Sequence, residues 1–350
     1  MEKIPTEDMI RTLVELVEIP SPTGRAEDAI RYLTDRLAKY KGRITLRHTA
    51  KGGVRVTLPG EDTTTARLLT AHVDTLGAMV KEIKPDGRLR ITNIGGFSWN
   101  SVDGAYCKVK TSRGNHVSGT ILATHTSVHV YSDASTQERK EENMEVRLDA
   151  KVNSKKDTEK LGIRVGDFVS FDPRVETTEA GFIKGRHMDD KASAAILLEL
   201  MVHVLTEGVH LPYPTHFYFS NNEEVGFGAN SSIPEKVREY LAVDMGAIGE
   251  GLETDEYCVS ICAKDSSGPY HHGLRQKLVQ LAEENGVRYA VDIYPHYGSD
   301  ASAAVRAGHD LIHGLIGPGV DASHAYERTH REALEHTYRL LVQYIQSPSL

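Results

Sequence analysis

The segment SNNEEVGFG, residues 220–228, follows a run of alternating large residues, PTHFYFS, that predicts a short β-strand. Its centre is a pair of adjacent carboxylates, Glu223 and Glu224, with glycines shortly after them. Neighbouring side chains at the end of a strand point in different directions. One carboxylate can therefore bind a metal ion while the other faces a substrate as a base. A lone acidic pair is more often a solvated turn, so this interpretation depends on the rest of the chain.

Histidine and aspartate also occur at other predicted strand ends, in settings that suit metal ligands. The candidates are His72 with Asp74, Asp189 with Asp190, Asp244, and His324. Two histidines, two aspartates and one glutamate can hold two divalent ions when one carboxylate bridges them, and such ions lower the pKa of a bridging water. Glu223 is then placed to take a proton from that water and pass it to the leaving nitrogen. Asp74 fits a partner that fixes the tautomer of the His72 imidazole.

Each of these residues also has a simpler explanation on its own. Asp189 and Asp190 suit the N-cap of the helix that follows them. Asp244 suits a turn, and His324 suits an exposed loop. With seventeen histidines in the chain, some histidine near a strand end is expected by chance. The spacing alone therefore favours a metal site and an unrelated set of polar residues about equally.

The pattern of apolar residues divides the chain into two kinds of segment. Residues 1–76 and 186–350 alternate strands with helices, which indicates an α/β sheet with ligand sites at the carboxyl ends of its strands. Residues 77–185 contain many short strand-like runs between turn residues, which indicates a small β-barrel or sandwich inserted into the catalytic unit. The predicted helices are at residues 7–18, 26–40, 191–207, 232–239, 270–285 and 332–345.

Composition and charge argue against several kinds of partner and location for this chain. The net charge of -8 and the pI of about 6.1 give no electrostatic support for a nucleic-acid or anionic-membrane partner. No apolar run approaches the length of a membrane span, and the acidic start suits no signal or transit peptide. Three cysteines are too few for a disulfide framework, and Cys258 and Cys262 are most simply buried thiols. We therefore expect a cytoplasmic protein.

Six segments, in order, resemble metallopeptidase family 42, the glutamyl and deblocking aminopeptidases. They are AHVDTLGAMV, GRHMDDKASAA, NNEEVGFGAN, AVDMG, YGSDASAA and DASHAYERTH. The resemblance covers nearly the whole chain, including VGDFVSFDP in the β-rich insertion. It implies a zinc-exopeptidase-like (phosphorylase/hydrolase-like) fold, in which a mixed sheet is flanked by helices and carries an inserted PDZ-like dimerisation barrel. Family members assemble as tetrahedral dodecamers, so the resemblance implies a homo-oligomer.

The resemblance also implies a role for each candidate residue. His72, Asp189 and Asp244 would hold one metal ion, and Asp189, Glu224 and His324 would hold the other. Asp189 would bridge the two ions, and the peptide bond after it would be cis. Glu223 would be the general base, with Asp74 as the second catalytic residue. Histidine and carboxylate ligands without cysteine suit zinc, with cobalt or manganese as alternatives.

Two positions depart from the family pattern. The chain has Asp74-Thr75 where the family usually has Asp-Glu, and Lys191-Ala192-Ser193 where it usually has arginine, a small residue and glycine. Neither departure removes a ligand or the base. The segments KDSSGPYHHGL, YGSDASAA and GVDASHAYERTH resemble a bacterial branch associated with the osmoprotectant N-acetylglutaminylglutamine amide. That likeness implies a small N-blocked dipeptide amide as substrate.

Three functions are consistent with these observations. The first is a dinuclear metalloaminopeptidase that acts on short peptides. An N-deacylase, a carboxypeptidase or a hydrolase of a small N-blocked amide needs the same site and differs in the end of the substrate that it recognises. A catalytically silent oligomeric scaffold is the non-enzyme alternative. A scaffold has no need of a full ligand set beside a base, and this chain has all six residues.

Overall fold

The computed structural model describes residues 4–350. Its helices are α1 (Thr6–Glu18), α2 (Glu27–Leu37), α3 (Lys155–Lys160), α4 (Met188–Glu207), α5 (His272–Glu284), α6 (Asp300–Arg306) and α7 (Arg331–Gln346). Helices α1, α2, α4, α5 and α7 confirm the elements predicted from apolar spacing.

The strands fall into a large sheet, a small sheet and a barrel. In chain order they are β1 (Thr45–His48), β2 (Val54–Leu58), β3 (Ala66–His72), β4 (Gly77–Ile83), β5 (Leu89–Ile94), β6 (Tyr106–Lys110), β7 (His116–Ala123), β8 (Met144–Leu148), β9 (Phe168–Phe171), β10 (Glu176–Thr177), β11 (Phe182–Gly185), β12 (Thr215–Ser220), β13 (Val237–Val243), β14 (Gly246–Ala247), β15 (Val259–Asp265), β16 (Gly268–Pro269), β17 (Tyr289–Ile293), β18 (Ile312–Val320) and β19 (Glu327–His330). Strands β10, β11 and β19 make the small sheet.

The large sheet is mixed, with the strand order β1-β2-β12-β3-β13-β18-β15-β16, and β17 pairs with β15. Strands β12, β3, β13 and β18 run parallel to one another. Strand β3, ARLLTAH, is buried at every position, as expected of a central parallel strand covered on both faces. The carboxyl ends of these four strands therefore meet at one edge, where the sequence places its polar candidates.

Helix α4 lies in the larger hydrophobic core. Residues 192–201 of this helix are buried, and the helix packs against α1, α7 and β3. A helix that is apolar on all sides belongs in the interior of a protein. This packing fixes the position of the helix start, where Asp189 and Asp190 lie.

The segment from β4 to β9 forms a closed antiparallel barrel in the order β4-β5-β8-β7-β6-β9. Its core includes Val80, Ile91, Val109 and Val146 and is distinct from the core around α4. The mixed α/β sheet and the inserted β-barrel are thus confirmed as the architecture. The division of the chain at residues 76 and 185 stays a prediction, as does a dimerisation role for the insertion.

Residues 232–239 do not form the helix that their sequence predicts. The backbone N–H of Val237 donates to the carbonyl of Pro234 in a turn, and β13 begins at Val237. Proline followed by charged residues is typical of a helix start. Here β13 pairs with β3 and β18 in the middle of the sheet, and this tertiary pairing overrides the local preference.

The described residues agree with two further expectations. None of the helices in residues 4–350 combines the length and the apolar character that crossing a bilayer requires. All three cysteines are buried free thiols, which confirms the prediction for Cys258 and Cys262. Burial raises the pKa of the Cys107 thiol to about 12, so its thiolate form is scarce at neutral pH.

Gly317 in β18 allows a test of how closely the strands pack beside the site. A Cβ atom at Gly317 would lie 1.9 Å from the carbonyl oxygen of Asp244, and this backbone atom can move only if the end of β13 shifts. We expect Gly317→Ala to lower the free energy of unfolding by about 1–3 kcal/mol, measured by denaturant unfolding. Gly249→Ala is the control, because nothing lies within 4 Å of its Cβ position. Equal stability of the two variants would contradict this packing.

Candidate active site

The carboxyl ends of the parallel strands bring the predicted residues together. His72 ends β3, and Asp244 directly follows β13. Glu223 and Glu224 lie in a 3₁₀ turn just after β12, and His324 lies in the loop after β18. The topology of the sheet therefore gathers residues from distant parts of the chain at one edge.

Asp189 connects the two histidines. Its Oδ1 lies 3.0 Å from Nε2 of His72, and its Oδ2 lies 3.2 Å from Nε2 of His324. The Ser323 hydroxyl donates to the same Oδ2 at 3.2 Å. Glu224 approaches from the other side, with Oε2 3.5 Å from Nε2 of His324. Each oxygen of Asp189 thus faces a different histidine, which is the arrangement that a bridging carboxylate needs.

Two triads of ligand atoms share His72. His72, Asp189 and Glu224 offer atoms within 4.8 Å of one another, and so do His72, Asp190 and Asp244. Asp190, which is not in the predicted ligand set, lies in the second of these triads. Its Oδ1 has no hydrogen-bond partner among residues 4–350, and its Oδ2 accepts the backbone N–H of His72 at 3.3 Å. The Asp189–Asp190 peptide bond is cis, as the resemblance implies.

Asp74 contacts both His72 and the glutamate pair. Its backbone carbonyl lies 2.9 Å from Nδ1 of His72 and accepts the proton on that nitrogen, so Nε2 faces the carboxylates. Its carboxylate accepts the backbone N–H groups of Glu223 at 3.2 Å and Glu224 at 3.3 Å. The predicted contact with the imidazole is present, but the backbone oxygen makes it, since the carboxylate is 3.6 Å away.

The two neighbouring glutamates point to different places. Glu224 faces His324 and its side chain is 3% exposed. Glu223 faces the cleft, with its side chain 15% exposed and Oε2 3.7 Å from Nε2 of His72. This divergence is the one expected of adjacent residues at a strand end.

The inserted barrel also contacts the site. Nδ1 of His324 donates to the carbonyl of Gly96, in the loop that follows β5. The neighbouring Gly95 lies so close that a Cβ atom there would be 3.5 Å from Cβ of Glu224. One histidine of the site is therefore oriented by a backbone group of the barrel.

Burial and mutual repulsion raise the pKa values of three carboxyl groups, those of Asp244, Glu223 and Glu224. Desolvation and the charge of Asp189 raise the pKa of Asp244 to about 7 and hold the pKa of Glu224 well above its ordinary value. Desolvation likewise raises the pKa of Glu223. Burial opposes the charged form of His324, yet its hydrogen bond to Asp189 raises the pKa of this imidazole to about 10. When no metal ion neutralises them, these three carboxyl groups therefore retain their protons to a higher pH than ordinary carboxyl groups do.

The donor set fits two divalent cations. Within residues 4–350 the ion pairs of Asp189, Glu223 and Glu224 are with the two histidines alone. Buried carboxylates need a compensating cation or a proton. The ligand atoms are all nitrogen or oxygen, which suits zinc, cobalt or manganese.

A cleft of about 610 Å³ opens above the cluster. Its walls include residues that sequence analysis missed: Met245, Ala247, Ile248, His296, Tyr297 and Arg306. The Tyr297 hydroxyl donates to the carbonyl of Met245 at 2.9 Å, which joins two of these wall segments. Met245 and Tyr297 lie in the segments AVDMG and YGSDASAA. Their place in the cleft was not predicted, because only the folded sheet brings these loops beside the metal ligands.

The departures from the family pattern lie outside this cleft. Thr75 is buried, and its backbone N–H donates to the carbonyl of Ser21 at 2.9 Å. Lys191 is buried under α1, where its Nζ donates to the carbonyls of Leu16 at 2.9 Å and Ile19 at 2.8 Å. Neither residue is among the described residues that line the cleft. These two departures therefore lie in the support behind the site and not on the surface that faces the cleft.

Asp244 gives the metal-free protein a pH dependence. Its pKa rises from 3.8 to about 7 on folding, so the folded state binds more protons than the unfolded state between these values. Stability then falls as pH rises through this window. We expect metal-free Asp244→Asn to be more stable than metal-free wild type at pH 8 and to lose this advantage by pH 4. The measurement is the free energy of unfolding of both proteins in chelator at the two pH values. If the variant is more stable than wild type by the same amount at pH 4 and pH 8, the raised pKa of Asp244 is refuted.

Comparison with known proteins gives concordant results. A model of the M42 glutamyl aminopeptidase family matches residues 52–340. YhfE of Bacillus subtilis (strain 168), which carries a provisional aminopeptidase name, is 62% identical over 334 residues, or 95% of this chain and 96% of that protein.

Solved structures share the fold over nearly the whole chain. The TET aminopeptidase of a marine-sediment Thaumarchaeota archaeon superposes with a TM-score of 0.89 at 18% identity, over 99% of this chain and 98% of that one. The TET1 peptidase of Pyrococcus horikoshii superposes with a TM-score of 0.84 at 24% identity, over 97% and 100%. These likenesses show the fold, and the sequence matches show the family. The chain belongs to the M42 glutamyl aminopeptidase family, and it is a metalloaminopeptidase.

Proposed function

We propose that this chain removes the amino-terminal residue of short peptides by hydrolysing a peptide bond in the cleft above Asp189. The position of the Asp189 carboxylate carries the proposal, because one oxygen contacts His72 and the other contacts His324. A carboxylate shared in this way is the donor that a pair of divalent ions needs.

The family resemblance supplies the ligand assignment, and the contacts of Asp189 with the two histidines support its bridging place in it. His72, Asp189 and Asp244 would hold one ion, and Asp189, Glu224 and His324 would hold the other. When bound, such ions polarise a carbonyl and lower the pKa of a nearby water. Zinc is the proposed metal, with cobalt or manganese as alternatives that the same donors accept.

Glu223 is the proposed proton carrier. Its carboxylate faces the cleft, while its backbone N–H is fixed by the carboxylate of Asp74. Desolvation raises its pKa, and a carboxylate with a raised pKa accepts a proton more readily. Glu223 would take a proton from the attacking water and deliver it to the nitrogen of the departing peptide. Asp74 supports this step by holding the turn that carries both glutamates.

The cleft favours a small substrate. Its volume of about 610 Å³ is within the ordinary range for small-molecule sites, about 300–1,000 Å³. A wall formed by Met245, Ala247 and Ile248 offers apolar contact, and Arg306 offers a positive charge. Short peptides or small amides match these dimensions.

We also propose that residues 77–185 form a dimerisation unit between the two parts of the catalytic unit, 1–76 and 186–350. Exposed apolar side chains support this role for the insertion, namely Tyr106, Val128, Val130, Tyr131 and Val165. The related TET1 peptidase of P. horikoshii is described as assembling into a tetrahedron or a large octahedral shell. A homo-oligomer, up to a dodecamer, is the proposed assembly.

Replacing Glu223 tests its role as the base. We expect Glu223→Gln to lower kcat by about 10²–10⁴-fold, since the amide cannot accept the proton, while the bound metal measured by mass spectrometry stays unchanged. Glu235→Gln, which changes an exposed glutamate in the same way, should keep full activity. An active Glu223→Gln variant would refute the proposed role.

A second assay tests which end of the substrate is recognised. Protein loaded with zinc, cobalt or manganese is given one glutamine-containing dipeptide amide in free-amine and N-acetylated forms. We expect the free amine to be hydrolysed faster, as an aminopeptidase requires. Faster hydrolysis of the acetylated form would contradict this and support the N-blocked amide as substrate.

A further inference from the structure

A buried glutamate outside the ligand set connects the two halves of the site. Glu327, the first residue of β19, is 2% exposed. Its Oε2 accepts the backbone N–H groups of Met188 at 2.5 Å and Asp189 at 3.2 Å. Its Oε1 accepts the backbone N–H of His324 at 3.1 Å. One carboxylate therefore holds the backbone of the proposed bridging residue and of the histidine that faces it.

The loop that carries His324 needs support of this kind. Ala322 and His324 both have left-handed backbone conformations, with φ values of 54° and 63°. Residues other than glycine seldom adopt this conformation unless their surroundings impose it. From the other side of the loop, Arg186 donates to the carbonyl of Ala325 at 3.1 Å. The loop is thus held at a backbone N–H by Glu327 and at a carbonyl by Arg186.

We infer that Glu327 is a positioning residue, which holds the carboxylate of Asp189 and the imidazole of His324 at the spacing that two metal ions require. This inference rests on the dinuclear site of the proposed function. Glu327 is not among the described residues that line the cleft, so it acts through the ligands and not on the substrate. Groups that orient metal ligands from behind typically change metal affinity about 10–100-fold when they are lost.

The three contacts of Glu327 require a carboxylate of this length. All three partners are backbone N–H donors, so both oxygens must accept. Glutamine has one oxygen and one NH₂ group, and the NH₂ group would face an N–H donor in either orientation of the amide. Aspartate keeps the charge and both acceptors but is one methylene shorter. It therefore cannot reach the Asp189 and His324 segments at the same time.

Zinc affinity of the full-length protein tests the inference. Metal-stripped wild type, Glu327→Gln and Glu327→Asp are titrated with Zn²⁺ against a chromophoric chelator, and kcat and KM are measured at saturating zinc. We expect both variants to bind Zn²⁺ about 10–100-fold more weakly, with kcat reduced and KM little changed. Wild-type affinity in Glu327→Asp would overturn the inference, because the negative charge alone would then account for the role of Glu327.

Asp292→Asn is the matched control for a purely structural effect. Asp292 is another buried carboxylate that accepts consecutive backbone N–H groups, from Glu253 at 3.0 Å and Thr254 at 2.8 Å. It does not line the cleft. We expect this variant to lose stability and to keep wild-type zinc affinity. Equal weakening of zinc binding in Asp292→Asn and Glu327→Gln would also overturn the inference.

Glu223→Gln separates this inference from the proposed function. Zinc affinity does not depend on turnover, so an active Glu223→Gln variant would refute the proposed base without changing the outcome for Glu327. Weak zinc binding confined to the two Glu327 variants would support the positioning role in that case as well.

Discussion

The carboxylate of Asp189 lies between His72 and His324, and the rest of the catalytic architecture serves this contact. Asp189 is near the start of α4, whose apolar sides are enclosed by α1, α7 and β3. His72 ends a fully buried strand, and His324 is held by Glu327. Helix packing thus fixes Asp189, burial in the sheet fixes His72, and a hydrogen bond fixes His324. Their distances of 3.0 and 3.2 Å follow from the fold as a whole.

This arrangement is stabilised by the core and opposed by its own charges. The acidic groups of the site share a buried edge of the sheet, where desolvation raises the pKa of Asp244, Glu223 and Glu224. Apolar burial around α4 has to outweigh that cost in the metal-free protein. The active site therefore opposes folding until cations neutralise it, which links metal content to stability as well as to catalysis.

The sequence predicted the parts of the site that have a local signal. His72, Glu223 and Asp244 stand at strand ends, and the alternation of strands and helices indicated the sheet that gathers them. Spacing alone could not pair these residues, and the family resemblance supplied the assignment. Glu327 and Tyr297 escaped prediction because their contacts exist only after distant segments meet. The first three residues of β13, from Val237 to Glu239, were predicted as helix for the same reason, since their pairing within the sheet outweighs a helix-like local sequence.

Through the hydrogen bond from His324 to the carbonyl of Gly96, the barrel helps to orient a residue of the active site. Any exchange of this barrel for another module has to preserve one carbonyl at one place, or the imidazole loses its orientation. The loop after β5 therefore contributes to the site through its backbone, without a reactive side chain. The barrel and the His324 loop are thus one structural unit, even though Gly96 and His324 lie 228 residues apart in the sequence.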